Sequence, residues 1–331
     1  MFQWPASRKL RIAAAAGLAF VLGAGILLAQ DPVIRVDVRL VHALAVVKNK
    51  AGQLVGGLTK DDFEIYDNGV KQEVAVFERQ SNQPLSVAVL IDVSGSTAID
   101  LKYEMDSGSR FFRALLNEGN PQDAVALYSF DYQVTLEQNF THNYTVLQDR
   151  LKHVHGEAGT SLYDAIYLAA REGLESRPGR KAMVIVSDGG NTTSNKDSHQ
   201  ALEAAQMADA VIYPVVVVPI TSDAGRNTGG ENVLTYMAQG TGGRPFFPAS
   251  GPQIDRAFEQ IISELRTEYL LGFYPHNVPL TRDRFHKLTI KVKQPDLQVS
   301  ARNGYYGESD SFSAPLQDVI DVEPRPTRKK Q

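Results

Sequence analysis

Four runs of apolar residues constrain this chain more than any other feature: Val87 to Ile91, Ala124 to Tyr128, Met183 to Val186 and Val211 to Val218. A strand with one wet face alternates apolar and polar side chains, so a continuous apolar run signals burial on both faces. Between the runs lie segments of helical period: Leu101, Met105, Phe112 and Leu115; Leu162, Ile166, Ala169 and Leu174; then Ala201 to Ala208. A last helix is expected over Gln253 to Arg266, where Ile254, Phe258, Ile261 and Leu265 share one side. Strands that alternate with helices need crossover connections, and these produce a parallel sheet covered on both faces. The expected fold is α/β, a doubly wound and mostly parallel sheet that offers ligands the carboxyl ends of its strands.

On either side of this region the apolar period falls to two. Ile34, Val36, Val38 and Leu40 oppose Arg35, Asp37 and Arg39, which reads as a half-buried strand ahead of a polar turn at Lys48 to Gly52. Phe63 and Ile65 lead into Asp67-Asn68-Gly69 and on to Val74, Val76 and Phe77. Asn-Gly between alternating segments is a hairpin signal, because both turn positions need positive φ. Alternation returns in Leu270 to Tyr274 and in Leu288, Ile290 and Val292, and closes with Gly304-Tyr305-Tyr306. The organisation expected is a small β region over 32–80, the α/β domain over 84–266, and C-terminal strands over 267–307. These late strands are expected to pack with the early ones as one small antiparallel β unit. Residues 308–331, rich in Ser, Asp, Pro and Lys, are expected to be disordered.

The N-terminus has a different character. Arg8, Lys9 and Arg11 precede an uncharged run from Ile12 to Leu28, followed by Ala29-Gln30-Asp31. A basic start, an apolar stretch and a small residue at a cleavage point describe an export signal over 1–29. The run is also at the lower limit for crossing a bilayer, so a retained membrane anchor through residues 12–28 is the alternative. Either way the expected location is exported: periplasmic, cell-envelope or secreted. Loss of the leader removes three cations and no anion, taking the formal charge from -4 to -7. With 34 basic against 38 acidic residues there is no bulk electrostatic case for nucleic acid. The chain has no cysteine, which excludes disulfides, thiolate metal sites, a cysteine nucleophile and lipidation at a lipobox. Any metal must sit on oxygen or imidazole.

Oxygen side chains gather at the positions where such a fold binds ligands. The first apolar run passes directly into Asp92-Val93-Ser94-Gly95-Ser96. The run at Met183 to Val186 ends in Ser187-Asp188-Gly189-Gly190, and Gly159-Thr160-Ser161 precedes a middle helix. Taken singly, each has a plainer use: Ser96 as a helix cap, Asp188-Gly189 as a turn, Thr160 or Ser161 as the cap of the helix beginning near Leu162. Their order in the chain favours a metal site.

Asp-x-Ser-x-Ser after the first buried strand, a loop Thr before a middle helix and Asp-Gly after a later strand resemble the von Willebrand factor type A (VWA) family. The resemblance covers roughly Pro84 to Arg266. The pattern Asp62-Phe63-Glu64-Ile65-Tyr66-Asp67-Asn68-Gly69 ahead of it is similar to that in bacterial exported VWA proteins. The resemblance implies a Rossmann-like VWA fold and a metal-ion-dependent adhesion site in which Asp92, Ser94, Ser96, Thr160 and Asp188 surround Mg²⁺, with Mn²⁺ or Ca²⁺ as substitutes. It further implies that an acidic residue of a protein partner completes the coordination. Thr97 and Ala98 follow Ser96 where an adjacent calcium site would need acidic residues.

The function expected is an exported, metal-dependent protein-binding module in adhesion or envelope assembly, and not an enzyme. The runners-up are a metal-assisted hydrolase, for which the sequence supplies no general base beside the metal loops, and a structural envelope protein with a vestigial site. His153 and His155 are two apart and do not share a helix face, which argues against a zinc pair. Gly229-Gly230 and Gly242-Gly243 lack the Lys of a phosphate loop and read as loops.

Overall fold

The computed structural model describes residues 40–79, 83–94, 101–117, 119–217, 227–278 and 284–307. The leader over 1–29, the alternation over 33–39, Ser96 and the tail over 308–331 lie outside the described residues. In chain order the first strands are β1 (Val41–Asn49), β2 (Phe63–Asp67), β3 (Val70–Gln72) and β4 (Val76–Arg79). The α/β region follows with β5 (Leu85–Asp92), α1 (Leu101–Asn117), β6 (Ala124–Phe130), β7 (Val134–Thr141), α2 (Tyr144–Lys152) and α3 (Leu162–Leu168). It continues through β8 (Arg180–Ser187), α4 (Ser198–Met207), β9 (Ala210–Val216), α5 (Thr228–Thr241) and α6 (Gly251–Arg266). The last strands are β10 (Tyr269–Phe273), β11 (Phe285–Val292), β12 (Leu297–Ala301) and β13 (Gly304–Tyr306).

The central sheet has the order β7-β6-β5-β8-β9. β5 is parallel to both β6 and β8, β8 is parallel to β9, and β7 joins the edge antiparallel. Successive side chains of β5 go to opposite cores, as pleating requires. Val87, Val89 and Ile91 pack with Phe111, Phe112, Phe258 and Ile261 on one face. Ala88 and Leu90 pack with Leu162, Ile166 and Met237 on the other. Each large apolar side chain buried this way contributes about 1.5–3 kcal/mol, which is why the continuous runs become the inner strands.

Early and late strands share the two remaining sheets. One has the order β12-β1-β10-β4, the other β13-β11-β2-β3, and every pairing in them is antiparallel. Ala43, Ala45, Ile65, Tyr269, Leu271 and Phe273 form the core between them. The Asn-Gly hairpin forms at the expected corner, with φ of 47° at Asn68 and 83° at Gly69.

Three elements depart from the sequence reading. β7 is an edge strand with mixed exposure and register shifts against β6, so it carries neither a continuous apolar run nor clean alternation. α2 buries only Leu147 and Leu151, and begins at Asn143, whose side chain accepts from the Thr145 and Val146 amides. Gly229 and Gly230, read as loop, lie in the first turn of α5, while Gly242 does end that helix with φ of 93°. No described helix is long and apolar enough to cross a membrane.

Candidate metal centre

The carboxyl ends of β5 and β8 lie side by side because the two strands are parallel and in register up to the Ile91–Val186 pair. One residue further along each strand stand Asp92 and Ser187, and Ser187 Oγ donates to Asp92 Oδ2 at 2.6 Å. The other carboxylate oxygen, Oδ1, accepts from the Ser94 amide at 3.0 Å. Asp92 is 0 % exposed and Ser94 3 %. Burial pushes the Asp92 carboxyl up to about 6; the charge of Asp188 pushes the same way, while hydrogen bonds from Ser187 and Ser94 pull against both.

Asp188 follows on β8 and is half-buried. Its Oδ1 accepts from the Gly190 amide at 2.7 Å, so the residue does make the turn that Asp-Gly suggested. Gly189, with φ of 82°, accepts no side chain: a Cβ there would meet the Gly230 carbonyl carbon at 2.6 Å. The converse also holds, since a Cβ on Gly230 would lie 2.1 Å from the Gly189 oxygen. The two glycines let the first turn of α5 rest against the Asp188 loop, which gives the run Gly229-Gly230 its structural purpose.

Thr160 is 6 % exposed and reaches this region through the loop after Asp188. Its carbonyl accepts from the Thr192 and Thr193 amides at 2.8 and 3.1 Å, and its own amide donates to Thr192 Oγ1 at 3.0 Å. Ser161 occupies the N-cap position of α3 without a side-chain cap bond. Its hydroxyl donates to the Tyr132 carbonyl at 2.9 Å and bonds Thr193 Oγ1 at 2.7 Å. The capping is done from outside the helix, where Ser194 Oγ accepts from the Tyr163 and Asp164 amides.

The structure thus brings the Asp92-Ser94 segment, the Asp188 turn and the Thr160 loop to one end of the sheet. Sequence reasoning passed over two residues that set this geometry. Ser187 stands immediately before Asp188 in the sequence, but its role depends on the register of β8 against β5, for which the sequence carries no signal. Asp131, just past the end of β6, is 8 % exposed. Its Oδ1 accepts from Gln133 N and its Oδ2 from Glu157 N, which makes it a loop anchor.

The donor set fits a small hard cation. All of its candidate ligands are oxygens, two of them carboxylates, and the buried Asp92 charge is disfavoured by both its surroundings and Asp188. Among the described residues there is no group of three or more His, Asp or Glu able to hold a metal ion.

The chain is similar in structure to the conserved hypothetical protein BatB from Bacteroides thetaiotaomicron, with 19% identity, TM-score 0.45, and coverage of 55% of this chain and 98% of that one. It is also similar to the vWF domain of the type V pili tip protein Mfa5 from Porphyromonas gingivalis, with 17% identity, TM-score 0.44, and coverage of 55% and 94%. The PilB minor pilin from Streptococcus sanguinis matches at 12% identity and TM-score 0.44 over 56% of this chain and 62% of that one. No curated protein matches the chain. Residues 87–191 match the family model of the von Willebrand factor type A domain, a span that runs from β5 to just past the Asp188 turn and contains Asp92, Ser94, Ser96, Thr160 and Asp188.

Proposed function

We propose that this chain is an exported, metal-dependent protein-binding module serving adhesion or envelope assembly. Asp92, Ser94, Ser96, Thr160 and Asp188 hold Mg²⁺, or Mn²⁺ or Ca²⁺ in its place. The observation that carries this reading is the adjacency of Asp92 and the Asp188 turn at the carboxyl ends of β5 and β8, within the segment that matches the family model. A cation there would supply an electrophilic coordination position to a carboxylate. Mg²⁺ demands near-octahedral oxygen geometry, and two carboxylates with three neutral hydroxyls leave room for water or for an acidic side chain of a partner.

The chain's own residues act by positioning. Ser187 and the Ser94 amide orient the two Asp92 oxygens, and the Thr192–Thr193 amides fix the Thr160 loop. Tyr132, 48 % exposed, lies beside the Thr160 loop, where a partner that reaches the site would touch it. The reading requires ligation without turnover. Export belongs to the proposal through the basic-apolar N-terminus, with residues 12–28 as a membrane anchor in the alternative to a cleaved signal.

The test is in-cell crosslinking followed by mass spectrometry, with wild type and Asp92→Ala compared in Mg²⁺ and in EDTA. A partner recovered by wild type in Mg²⁺ and lost in both other conditions is expected. Recovery of the same partner in EDTA would sink the reading.

A further inference from the structure

Three loops meet around one residue at the carboxyl end of the central sheet. Tyr132 lies in the short connection between β6 and β7, and both neighbours of Thr160 in the chain approach it. On one side the Ser161 hydroxyl donates to the Tyr132 carbonyl at 2.9 Å and bonds Thr193 Oγ1 at 2.7 Å. On the other side Gly159 comes so close that a Cβ there would lie 2.9 Å from the Tyr132 Cβ and 3.2 Å from Thr193 Cγ2. The residue before Tyr132 is held as firmly. The Asp131 amide donates to the Gln133 carbonyl at 3.0 Å, and its carbonyl accepts from the Ser161 amide at 2.6 Å. Its carboxylate accepts from the Gln133 and Glu157 amides at 3.0 and 2.9 Å.

The side chain contrasts with this fixed backbone. Tyr132 is 48 % exposed, whereas Asp131, Thr160 and Ser161 beside it are buried. A tyrosine ring presents a large contact area through only two side-chain torsions. Because the backbone beneath it is already ordered, covering the ring costs little further entropy. Aromatic side chains held in this way are over-represented among the residues that dominate the energetics of protein interfaces. The ring stands next to a candidate metal ligand, so a chain that reaches the cation meets it.

We propose that Tyr132 selects the partner of the metal centre by packing against an apolar or aromatic side chain that neighbours the acidic residue ligating the cation. The inference rests on the metal-dependent reading above and adds the class of ligand: a protein segment in which a carboxylate and an apolar side chain are close in sequence. A segment that offers a carboxylate alone makes the metal bond without the ring contact and binds more weakly.

The probe is an array of synthetic peptides with one central Asp in a Gly-Ser background, each flanking position varied in turn, and an Asn-centred copy of every peptide. Wild type, Tyr132→Ala and Tyr132→Phe are compared in Mg²⁺ and in EDTA, with Mg²⁺ affinity and melting temperature measured for each protein. Wild type and Tyr132→Phe are expected to favour Phe, Tyr, Leu or Ile beside Asp over Gly by about tenfold or more. Tyr132→Ala should lose that preference with Mg²⁺ affinity and melting temperature unchanged. The same apolar preference in wild type and Tyr132→Ala, or its absence from wild type, overturns the proposal and leaves the metal-dependent reading in place. So does a fall in Mg²⁺ affinity in Tyr132→Ala, which would make the residue part of the metal site. No preference of wild type for Asp over Asn in Mg²⁺ overturns both.

Discussion

Ser187 and Asp92 stand one residue beyond the last register pair of two adjacent parallel strands, and the Ser187 hydroxyl donates to the Asp92 carboxylate at 2.6 Å. The hydrogen bond fixes the orientation of the proposed ligand from a residue that is itself outside the ligand set. Ser187→Ala is therefore expected to lower Mg²⁺ affinity by about tenfold or more, the usual effect of deleting an outer partner of a metal ligand. Isothermal titration with Mg²⁺ or Mn²⁺ measures this directly. Wild-type affinity in the variant would show that Ser187 only closes the sheet.

Metal binding should also appear as stability. Saturating Mg²⁺ is expected to raise the melting temperature of wild type by linkage, and to leave Asp92→Asn unmoved. The amide keeps the shape of the side chain and removes its charge, so the comparison reads coordination more than packing. An equal rise in both proteins would place the effect elsewhere.

The pair Gly229 and Gly230 separates helix propensity from close approach. A Cβ on Gly229 has only Asn227 Oδ1 within reach, at 3.7 Å, so Gly229→Ala should stabilise by up to about 1 kcal/mol. A Cβ on Gly230 would lie 2.1 Å from the Gly189 oxygen, so Gly230→Ala should destabilise and weaken Mg²⁺ binding together. Chemical denaturation of the two variants checks the opposite signs.

Glu268 should give the protein a pH-dependent stability. Burial raises its folded pKa from 4.5 to about 8, so between those values the native state keeps a proton that the unfolded chain has released. Stability from this group is present below the unfolded pKa and is lost as pH rises toward 8, with a slope approaching 1.4 kcal/mol per pH unit, about the value for one proton. Glu268→Gln should flatten that decline. Urea unfolding at pH 5, 6.5 and 8 tests it, and identical slopes in both proteins would refute it.

The flanking sheets have their own buried charge. Tyr305 donates to Asp67 Oδ2 at 2.5 Å, and His286 Nδ1 lies 3.1 Å from Oδ1 of the same carboxylate, which is 0 % exposed. Tyr305→Phe should cost about 1–3 kcal/mol, because it removes a donor from a buried carboxylate without changing the packing volume. A loss below the error of a denaturation curve would mean that His286 alone satisfies Asp67.

The sequence by itself determined the local and periodic parts of this protein. Continuous apolar runs gave the inner strands, and the 3.6-residue period in Leu162 to Leu174 and Ile254 to Leu265 gave helices. Asn68-Gly69 gave the hairpin, because backbone sterics require those residue types there. The oxygen ligands proposed for the metal were legible for the same reason, since Asp92, Ser94 and Asp188 follow directly on strands that could be read. Only the tertiary structure decided what depends on residues far apart in the chain. β7 and α2 are half-exposed, so the burial that shapes their sequence is too slight to leave a clear period. Gly230 could not be recognised as a helix residue until its contact with Gly189 was seen, and Ser187 acquires its role only from a partner 95 positions away.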